Sequence, residues 1–216
     1  GGDAAIRKPA RIALAYLHDA DIEWDERLPP AQEFSQNELA ILKNQLIRQI
    51  NTPRTSSLGR LFDAVAAIAG VRQEVNYEAQ AAIEFEMMAD SRPTLAIYPY
   101  CLQEEEIDFR PVIRQIVQEM LEGASASTIS TKFHLTLAEC IIRICLNMRE
   151  MFHINKVCLS GGVWQNIKLF KLCLEKLREK SFQVYFHKSI PTNDGGISFG
   201  QAAILTHQIV VGKIMV

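Results

Sequence analysis

Apolar residues recur every three or four positions through much of the first two thirds of the chain, the spacing that places them on one face of a helix. This pattern predicts helices over residues 10–17, 35–50, 77–88, 111–121 and 128–152, and a further helix that ends at Gly70. The helix at 35–50 begins with Ser35 and Glu38, which have the S-x-x-E form of a capping box. Four of its residues are expected to face the core: Leu39, Leu42, Leu46 and Ile50.

The helix at 128–152 is the longest and has an apolar stripe along its whole length, so we expect it to be central. The stripe consists of Phe133, Leu137, Ile141, Ile144 and Met148. Residues 19–34 are mostly polar and contain Pro29-Pro30, which predicts a loop.

The last third of the chain alternates short apolar runs with helical patterns. Strands are predicted at 156–159 and 182–187, and helices at 164–178 and 197–211; one further short strand is predicted at 95–98. Strand, helix, strand and helix in succession imply a parallel pair of strands joined by a crossover helix. The expected fold class is therefore helix-rich α/β, with a helical N-terminal part and a C-terminal βαβα unit.

Composition narrows the class of protein. Of the 216 residues, 48% are hydrophobic and 22% are charged, as in a folded globular domain rather than a disordered chain. The net charge of −2 predicts no general attraction to nucleic acids or to membrane surfaces. No apolar run is long enough to span a bilayer, and no signal peptide is visible.

The five cysteines contain no C-x-x-C pair, which argues against a zinc finger and against a secreted disulfide framework. Four of them lie in apolar helix or strand patterns, the exception being Cys101, and are expected to be buried thiols in a reducing cytoplasm. The chain begins with Gly1 rather than Met, so we expect it to be part of a longer polypeptide.

A glycine turn is the first candidate site. Gly161 and Gly162 lie between the end of a predicted strand and the start of a helix, where glycine allows positive φ and close approach by a ligand. The helix N-terminus that follows offers unpaired N–H groups to an anion, and the Asn166 amide is placed to contact a base or ribose. A purely structural turn is the alternative.

Two further segments carry polar residues at predicted helix starts. Asp194 follows a strand and precedes a glycine pair, so its carboxylate suits either a helix cap or a cation. Gly59 lies near the start of the helix that ends at Gly70, where glycine is costly unless something approaches closely. Asp63 lies one turn from Arg60, and the two side chains could simply pair with each other.

Taken together, these segments resemble the C-terminal region of the HypF family of hydrogenase maturation carbamoyltransferases. The resemblance follows the order of the family and covers nearly the whole chain. It rests on GGDAAIR (1–7) with Pro9, Arg11 and ALAYL (13–17), TSSLGRLFDAVAA (55–67), Tyr77-Glu78 with QAA (80–82), Phe133-His134 with TLA (136–138), LSGGV (159–163) with Gln165-Asn166, and NDGGI (193–197) with GQA (200–202).

The resemblance implies part of an actin-like ATPase (ASKHA) domain, related to the TsaD-type enzymes. We expect residues 1–54 to be a helical N-terminal segment and residues 55–216 to be the C-terminal part of the TsaD-like carbamoyltransferase domain. HypF proteins use carbamoyl phosphate and ATP to make a carbamoyl-adenylate. They then transfer the carbamoyl group to the C-terminal cysteine of HypE. The implied partners are HypE and upstream domains of the same protein.

The resemblance also implies residue roles. Gly161 and Gly162 match the glycine pair under the nucleotide, and Asn166 matches a nucleotide contact. Gly59 and Asp63 match the helix that faces the nucleotide from the other lobe. Asp194 matches the aspartate of the family's N-D-G-G segment. In the family this aspartate is a ligand of a divalent metal ion, and the resemblance implies Fe, Zn or Mg as that ion.

Departures from the family pattern set limits on activity. The histidine-rich metal motif and the glycine-rich phosphate loop of the family are both absent from this sequence, so we expect the chain alone to be inactive or nearly so. Ala79 replaces a glycine of the Y-E-G-Q-A-A pattern, and Leu135 replaces a polar residue. Two alternatives stay open: a stand-alone, non-catalytic module that binds a nucleotide or a partner, and a tRNA threonylcarbamoyl transferase.

Overall fold

The computed structural model describes residues 2–90, 96–103 and 106–212, without the side chain of Gln103. Within these ranges the helices are α1 (Asp3–Arg7), α2 (Pro9–Asp19), α3 (Pro29–Gln32), α4 (Gln36–Ile47), α5 (Leu58–Ile68), α6 (Gln80–Met88), α7 (Arg110–Leu121), α8 (Ala126–Phe152), α9 (Ile167–Glu179) and α10 (Ile197–Val210). The strands are β1 (Cys101–Gln103), β2 (Glu106–Asp108), β3 (Lys156–Leu159) and β4 (Gln183–Phe186). Short 3-10 helices cover Gly162–Gln165 and Asp194–Gly196. No helix of the described residues is long and apolar enough to cross a bilayer.

The chain divides into two compact units, Gly1–Leu137 and Ala138–Val216, and the boundary falls within α8. The core of the first unit comes mainly from α2, α5, α6, α7 and the first turns of α8. Its largest buried side chains include Leu14, Leu17, Phe62, Phe85, Ile113, Ile116 and Phe133. The rings of Phe62 and Phe133 meet edge to face, with centroids 5.2 Å apart and planes at 87°. This is a favourable geometry for two aromatic quadrupoles, in addition to the apolar area that both rings bury.

Local sequence signals explain how α4 begins and ends. The capping box is confirmed: Ser35 Oγ accepts from the Glu38 N–H, and the Glu38 carboxylate accepts from the Ser35 N–H at 2.8 Å. The helix ends three residues earlier than predicted, because Gln49 and Asn51 adopt positive φ. Ile50 therefore lies outside the helix and is exposed, although Leu39 is buried as expected.

The second unit contains the predicted parallel strand pair. β3 and β4 run in register from Lys156 opposite Gln183 to Leu159 opposite Phe186, with α9 as the connection. The apolar positions of α9 recur every four residues, and Leu169, Cys173 and Leu177 are all fully buried. A small core forms around Ile142, Leu159, Leu177 and Phe182.

Several predictions of detail are wrong. The strand predicted at 95–98 does not form over its described residues 96–98, because the Tyr98 N–H donates to Thr136 Oγ1 at 2.8 Å and not to a strand. Residue 95 lies outside the described residues. β1 and β2 form an antiparallel pair instead. The predicted loop at 19–34 contains the one-turn helix α3, with proline in its first turn.

Burial also differs from the predicted pattern at two places. Met148 is exposed, and no residue of α8 after Ile142 is buried, so the described residues do not cover the predicted stripe along its whole length. Cys158 is exposed, since it lies on the outer face of β3, while Cys140 and Cys173 are buried. Burial raises the pKa of the Cys173 thiol to about 12, which keeps it protonated and inert.

Candidate functional site

The glycine turn lies directly after β3 and before α9. Gly161 has φ +106° and ψ 159°, a conformation open almost only to glycine. A Cβ added at Gly161 would meet no atom within 4 Å, so the backbone conformation, and not crowding, requires glycine there. Gly162 begins the short 3-10 helix, and a Cβ at that position would lie 3.9 Å from Asn193 Cβ. The backbone of the turn is therefore open for a ligand to approach.

Asn166 occupies the N-cap of α9. Its Oδ1 accepts a hydrogen bond from the Leu169 N–H at 2.8 Å. The helix was predicted to begin at residue 164, but the 3-10 helix comes first and Asn166 precedes α9 instead of lying within its first turn. The Asn166 side chain thus caps the N-terminus of α9, which follows the glycine turn in the sequence.

Hydrogen bonds join the glycine turn to the loop after β4. The Gly161 N–H donates to the Thr192 carbonyl at 2.8 Å, and Thr192 Oγ1 donates to the Gly161 carbonyl at 3.1 Å. Ser160 Oγ and His187 Nε2 form a further hydrogen bond of 3.0 Å. The two loops both follow the carboxyl ends of parallel strands, where ligands of open α/β sheets bind. The structure therefore brings together Gly161, Gly162 and the segment that contains Asp194.

The sequence predicted no role for Ser160, His187 or Thr192. Ser160 and Thr192 do lie in the two candidate glycine segments, and His187 lies at the end of a predicted strand. A small cavity of about 180 Å³ lies beside them, and its lining includes Trp164, Phe186, His187 and Thr192. Aromatic and polar side chains thus share one wall of the candidate site.

The second glycine pair, Gly195 and Gly196, lies between β4 and α10 and is positioned by neighbouring residues of the same segment. A Cβ at Gly196 would lie 2.5 Å from the Pro191 carbonyl oxygen, so only glycine fits there. Asn193, and not Asp194, caps the short 3-10 helix, because Asn193 Oδ1 accepts from the Gly195 N–H at 3.1 Å. The Asp194 side chain is exposed and makes no hydrogen bond or ion pair with another described residue. Its carboxylate is therefore not needed for the turn.

The described residues do not form a complete metal site. No group of three or more His, Cys, Asp or Glu side chains in the described ranges comes close enough to hold a metal ion. One carboxylate, that of Asp194, does not meet the usual need for about three protein ligands. The described residues alone therefore do not fit a bound metal ion.

Gly59 and Asp63 lie on α5, in the first unit. Ser57 caps this helix by accepting from the Arg60 N–H. Among the described residues, a Cβ at Gly59 would meet only Ser57 Oγ, at the ordinary contact distance of 3.5 Å, so no contact within the described part of the chain requires glycine there.

Asp63 is buried and paired with Arg60, whose Nη1 donates to Asp63 Oδ2 at 2.9 Å. Burial raises the pKa of the Asp63 carboxyl, and the nearby Arg60 guanidinium partly opposes this shift. Burial and the charges of Asp19 and Asp63 likewise raise the pKa of Tyr16. A buried carboxylate with only one charged partner is costly, which is more typical of a functional position than of a stabilising one.

Comparisons with known proteins agree on one family. Residues 1–201 match the family model described as "Carbamoyltransferase, Kae1-like Domain, second subdomain". The chain is 36% identical to the carbamoyltransferase HypF of Synechocystis sp., over 93% of this chain and 28% of that protein. It is also 36% identical to the carbamoyltransferase HypF of Rhizobium leguminosarum, over 98% of this chain and 27% of that protein.

A solved structure gives the same result for the fold. The crystal structure of full-length HypF in the phosphate- and nucleotide-bound form superposes with a TM-score of 0.88 and 39% identity, over 97% of this chain and 33% of that one. The helix-rich α/β class is thereby confirmed. This chain spans about a third or less of the length of these three relatives. It belongs to the HypF carbamoyltransferase family and corresponds to the second subdomain of the Kae1-like domain.

Proposed function

We propose that this chain forms the nucleotide-binding half of a carbamoyl-transfer site in a HypF-type carbamoyltransferase. The observation that carries the proposal is the hydrogen-bonded pair of loops, in which Gly161 and Thr192 exchange two hydrogen bonds. They hold an open glycine turn and an unpaired carboxylate, that of Asp194, at the carboxyl ends of two parallel strands. Support also comes from the nucleotide-bound state of the structurally similar HypF.

The backbone around the turn suits the phosphate of ATP or of a carbamoyl-adenylate. The absence of side chains at Gly161 and Gly162 lets an anion approach the main chain. The N-terminus of α9, a helix of 13 residues, adds a partial positive charge. Asn166 fixes the start of that helix and contacts the nucleotide. Gly59 and Asp63 of α5 are further proposed contacts of the nucleotide.

The proposed reaction transfers a carbamoyl group to the C-terminal cysteine of HypE. A sulfur–carbon bond forms between the thiol and the carbamoyl carbon, and the bond between that carbon and the AMP phosphate oxygen breaks. AMP leaves with the electron pair, and the thiol proton is released. The role of the loops is to position the adenylate and to exclude water from this labile mixed anhydride. Asp194 supplies one ligand to a divalent metal ion whose remaining ligands come from outside the described residues.

Other parts of a longer polypeptide are the proposed partners of the second unit. No described residue of α10 is buried, although the helix is rich in apolar residues. Large exposed examples are Ile197, Phe199, Ile204, Leu205 and Val210. A parallel sheet of only two strands is also unusual, because such sheets are normally covered on both faces. Exposed apolar surface of this kind marks an interaction site.

The test is a reconstituted transfer reaction with carbamoyl phosphate, ATP and HypE. The longer polypeptide that contains this sequence should carbamoylate the HypE cysteine, measured by the mass of its C-terminal peptide. The 216-residue chain alone should give little or no product. Asn166→Ala in the longer polypeptide should reduce the rate by about tenfold or more, the result of losing one good polar contact. Full activity of that variant, with unchanged folding, would contradict the proposed role of Asn166.

A further inference from the structure

A larger cavity lies in the first unit, among α1, α2 and α4. Its volume is about 580 Å³, and one part of its lining is basic: Arg7, Lys8 and Arg11. Another part is apolar, formed by Phe34, Ile41 and Leu42. Arg7 and Arg11 belong to the first segment of the family resemblance, yet the proposed nucleotide site makes no use of them. The cavity therefore needs a separate explanation.

The two guanidinium groups are poorly satisfied by the chain itself. Arg11 Nε is buried and has no hydrogen-bond partner among the residues that the structure describes. Its Nη2 reaches only Gln45 Oε1, at the long distance of 3.5 Å. Arg7 is exposed, and its side chain makes no hydrogen bond or ion pair with any residue that the structure describes. A buried donor without an acceptor is costly, so an oxyanion beside Arg11 would remove an unfavourable interaction.

Three carboxylates also line the cavity, but none of them forms an ion pair with Arg7 or Arg11 among the described residues. Glu38 accepts hydrogen bonds from the Ser35 N–H and Oγ at the start of α4, at 2.8 and 2.7 Å. Glu74 is largely exposed and lies 3.9 Å from Lys8 Nζ. Asp3 lies in the first turn of α1, where a negative charge complements the helix dipole. The guanidinium groups of Arg7 and Arg11 thus stay without a close carboxylate partner.

We propose that this cavity binds a phosphate monoester of a small organic molecule. A phosphate monoester presents three terminal oxygens and carries a charge of about −1.5 to −2 at pH 7, more than a carboxylate, so it is the better match for two guanidinium groups. The apolar wall with Phe34 and Leu42 suits the organic part of such an ester. The cavity shares no lining residue with the proposed nucleotide site, whose residues are Gly59, Asp63, Gly161, Gly162 and Asn166.

The experiment is isothermal titration of the 216-residue chain with phenyl phosphate, inorganic phosphate and benzoate at fixed ionic strength. Phenyl phosphate should bind most tightly, inorganic phosphate more weakly, and benzoate about tenfold more weakly than phenyl phosphate. Arg7→Ala should weaken phenyl phosphate binding by about tenfold, since it removes one charge-assisted contact from an exposed side chain that is not needed for folding. Arg11→Lys, which keeps the charge but loses the planar fork, should do the same.

Two control variants make the outcome decisive. Arg54→Ala removes an exposed arginine outside the cavity and should leave the affinity unchanged. Asn166→Ala should also leave it unchanged, although it should impair ATP binding. Three results would overturn the proposal: no saturable binding of phenyl phosphate, binding that is equally sensitive to Arg54→Ala, or binding that survives Arg7→Ala and is lost in Asn166→Ala. Benzoate binding as tight as that of phenyl phosphate would overturn the phosphate assignment.

Discussion

Gly59→Ala is expected to stabilise the protein while weakening nucleotide binding. The added methyl group would meet only Ser57 Oγ, at 3.5 Å, and Gly59 is the second residue of α5. Alanine is favoured over glycine by up to about 1 kcal/mol in a helix interior, and a first-turn position should retain about half of this. For a chain of this size, about 0.5 kcal/mol corresponds to a rise in melting temperature of about 1–2 °C.

The same methyl group should exclude the nucleotide if the nucleotide backs onto α5. We expect the affinity for a non-hydrolysable ATP analogue to fall about tenfold or more, because an atom would occupy space that the ligand needs. The assays are thermal denaturation followed by circular dichroism and isothermal titration with the analogue, both on the longer polypeptide. Asn44→Ala in α4 is the matched control, since it raises helix propensity away from the site and should leave affinity unchanged.

The stability and affinity measurements distinguish two reasons for glycine at position 59: contact with the nucleotide, or a requirement of α5 itself. Greater stability with unchanged affinity would refute the placement of Gly59 next to the nucleotide. Lower stability would mean that α5 itself requires glycine, in contradiction of the contact distance.

Three further substitutions test the structure at other positions. Ala79→Gly should raise the free energy of unfolding by about 0.5–1 kcal/mol in urea denaturation, because Ala79 has φ +61° and glycine relieves that strain. Asp63→Asn should gain stability relative to wild type as the pH rises above about 4, the ordinary pKa of an aspartate. Burial raises the folded-state pKa of this carboxyl, so wild type is favoured at low pH and loses stability as the pH rises through that pKa. A stability difference that is independent of pH would contradict this. Thr192→Val should cost about 1 kcal/mol and weaken nucleotide binding, whereas Thr192→Ser, which keeps the hydroxyl that donates to Gly161, should retain both properties.

The helices were mostly predictable because their apolar residues repeat with a clear period. α9 buries a continuous face, α8 buries apolar residues as far as Ile142, and α4 has a complete capping box. The ends of the helices depended on backbone conformations that the pattern does not encode. Ala79 is the clearest case, because its left-handed conformation delays the start of α6 to Gln80. Ala79 also occupies the position at which the family has glycine. The left-handed conformation at this position explains why the family has glycine there.

The strand predicted near Tyr98 does not form, because Tyr98 is hydrogen-bonded to a residue distant in sequence. A run of apolar residues predicted a strand, but the Tyr98 N–H is bonded to Thr136 Oγ1, on α8, which no local pattern reveals. The candidate site shows the same limit. The glycine turn and Asp194 were identified from the sequence, whereas the bonds of Thr192 to Gly161 and of His187 to Ser160 depend on the pairing of β3 with β4.

The most direct test of the nucleotide site compares two glycines at positive φ, one within the site and one outside it. Gly161 and Gly123 both have positive φ, and an added Cβ at either would meet nothing within 4 Å. Alanine at each should therefore cost about 1–3 kcal/mol of stability through backbone strain alone. Titration of both variants with an ATP analogue should show a large loss of affinity for Gly161→Ala and none for Gly123→Ala. Equal affinity in the two folded variants would contradict the account that the nucleotide binds at the turn after β3.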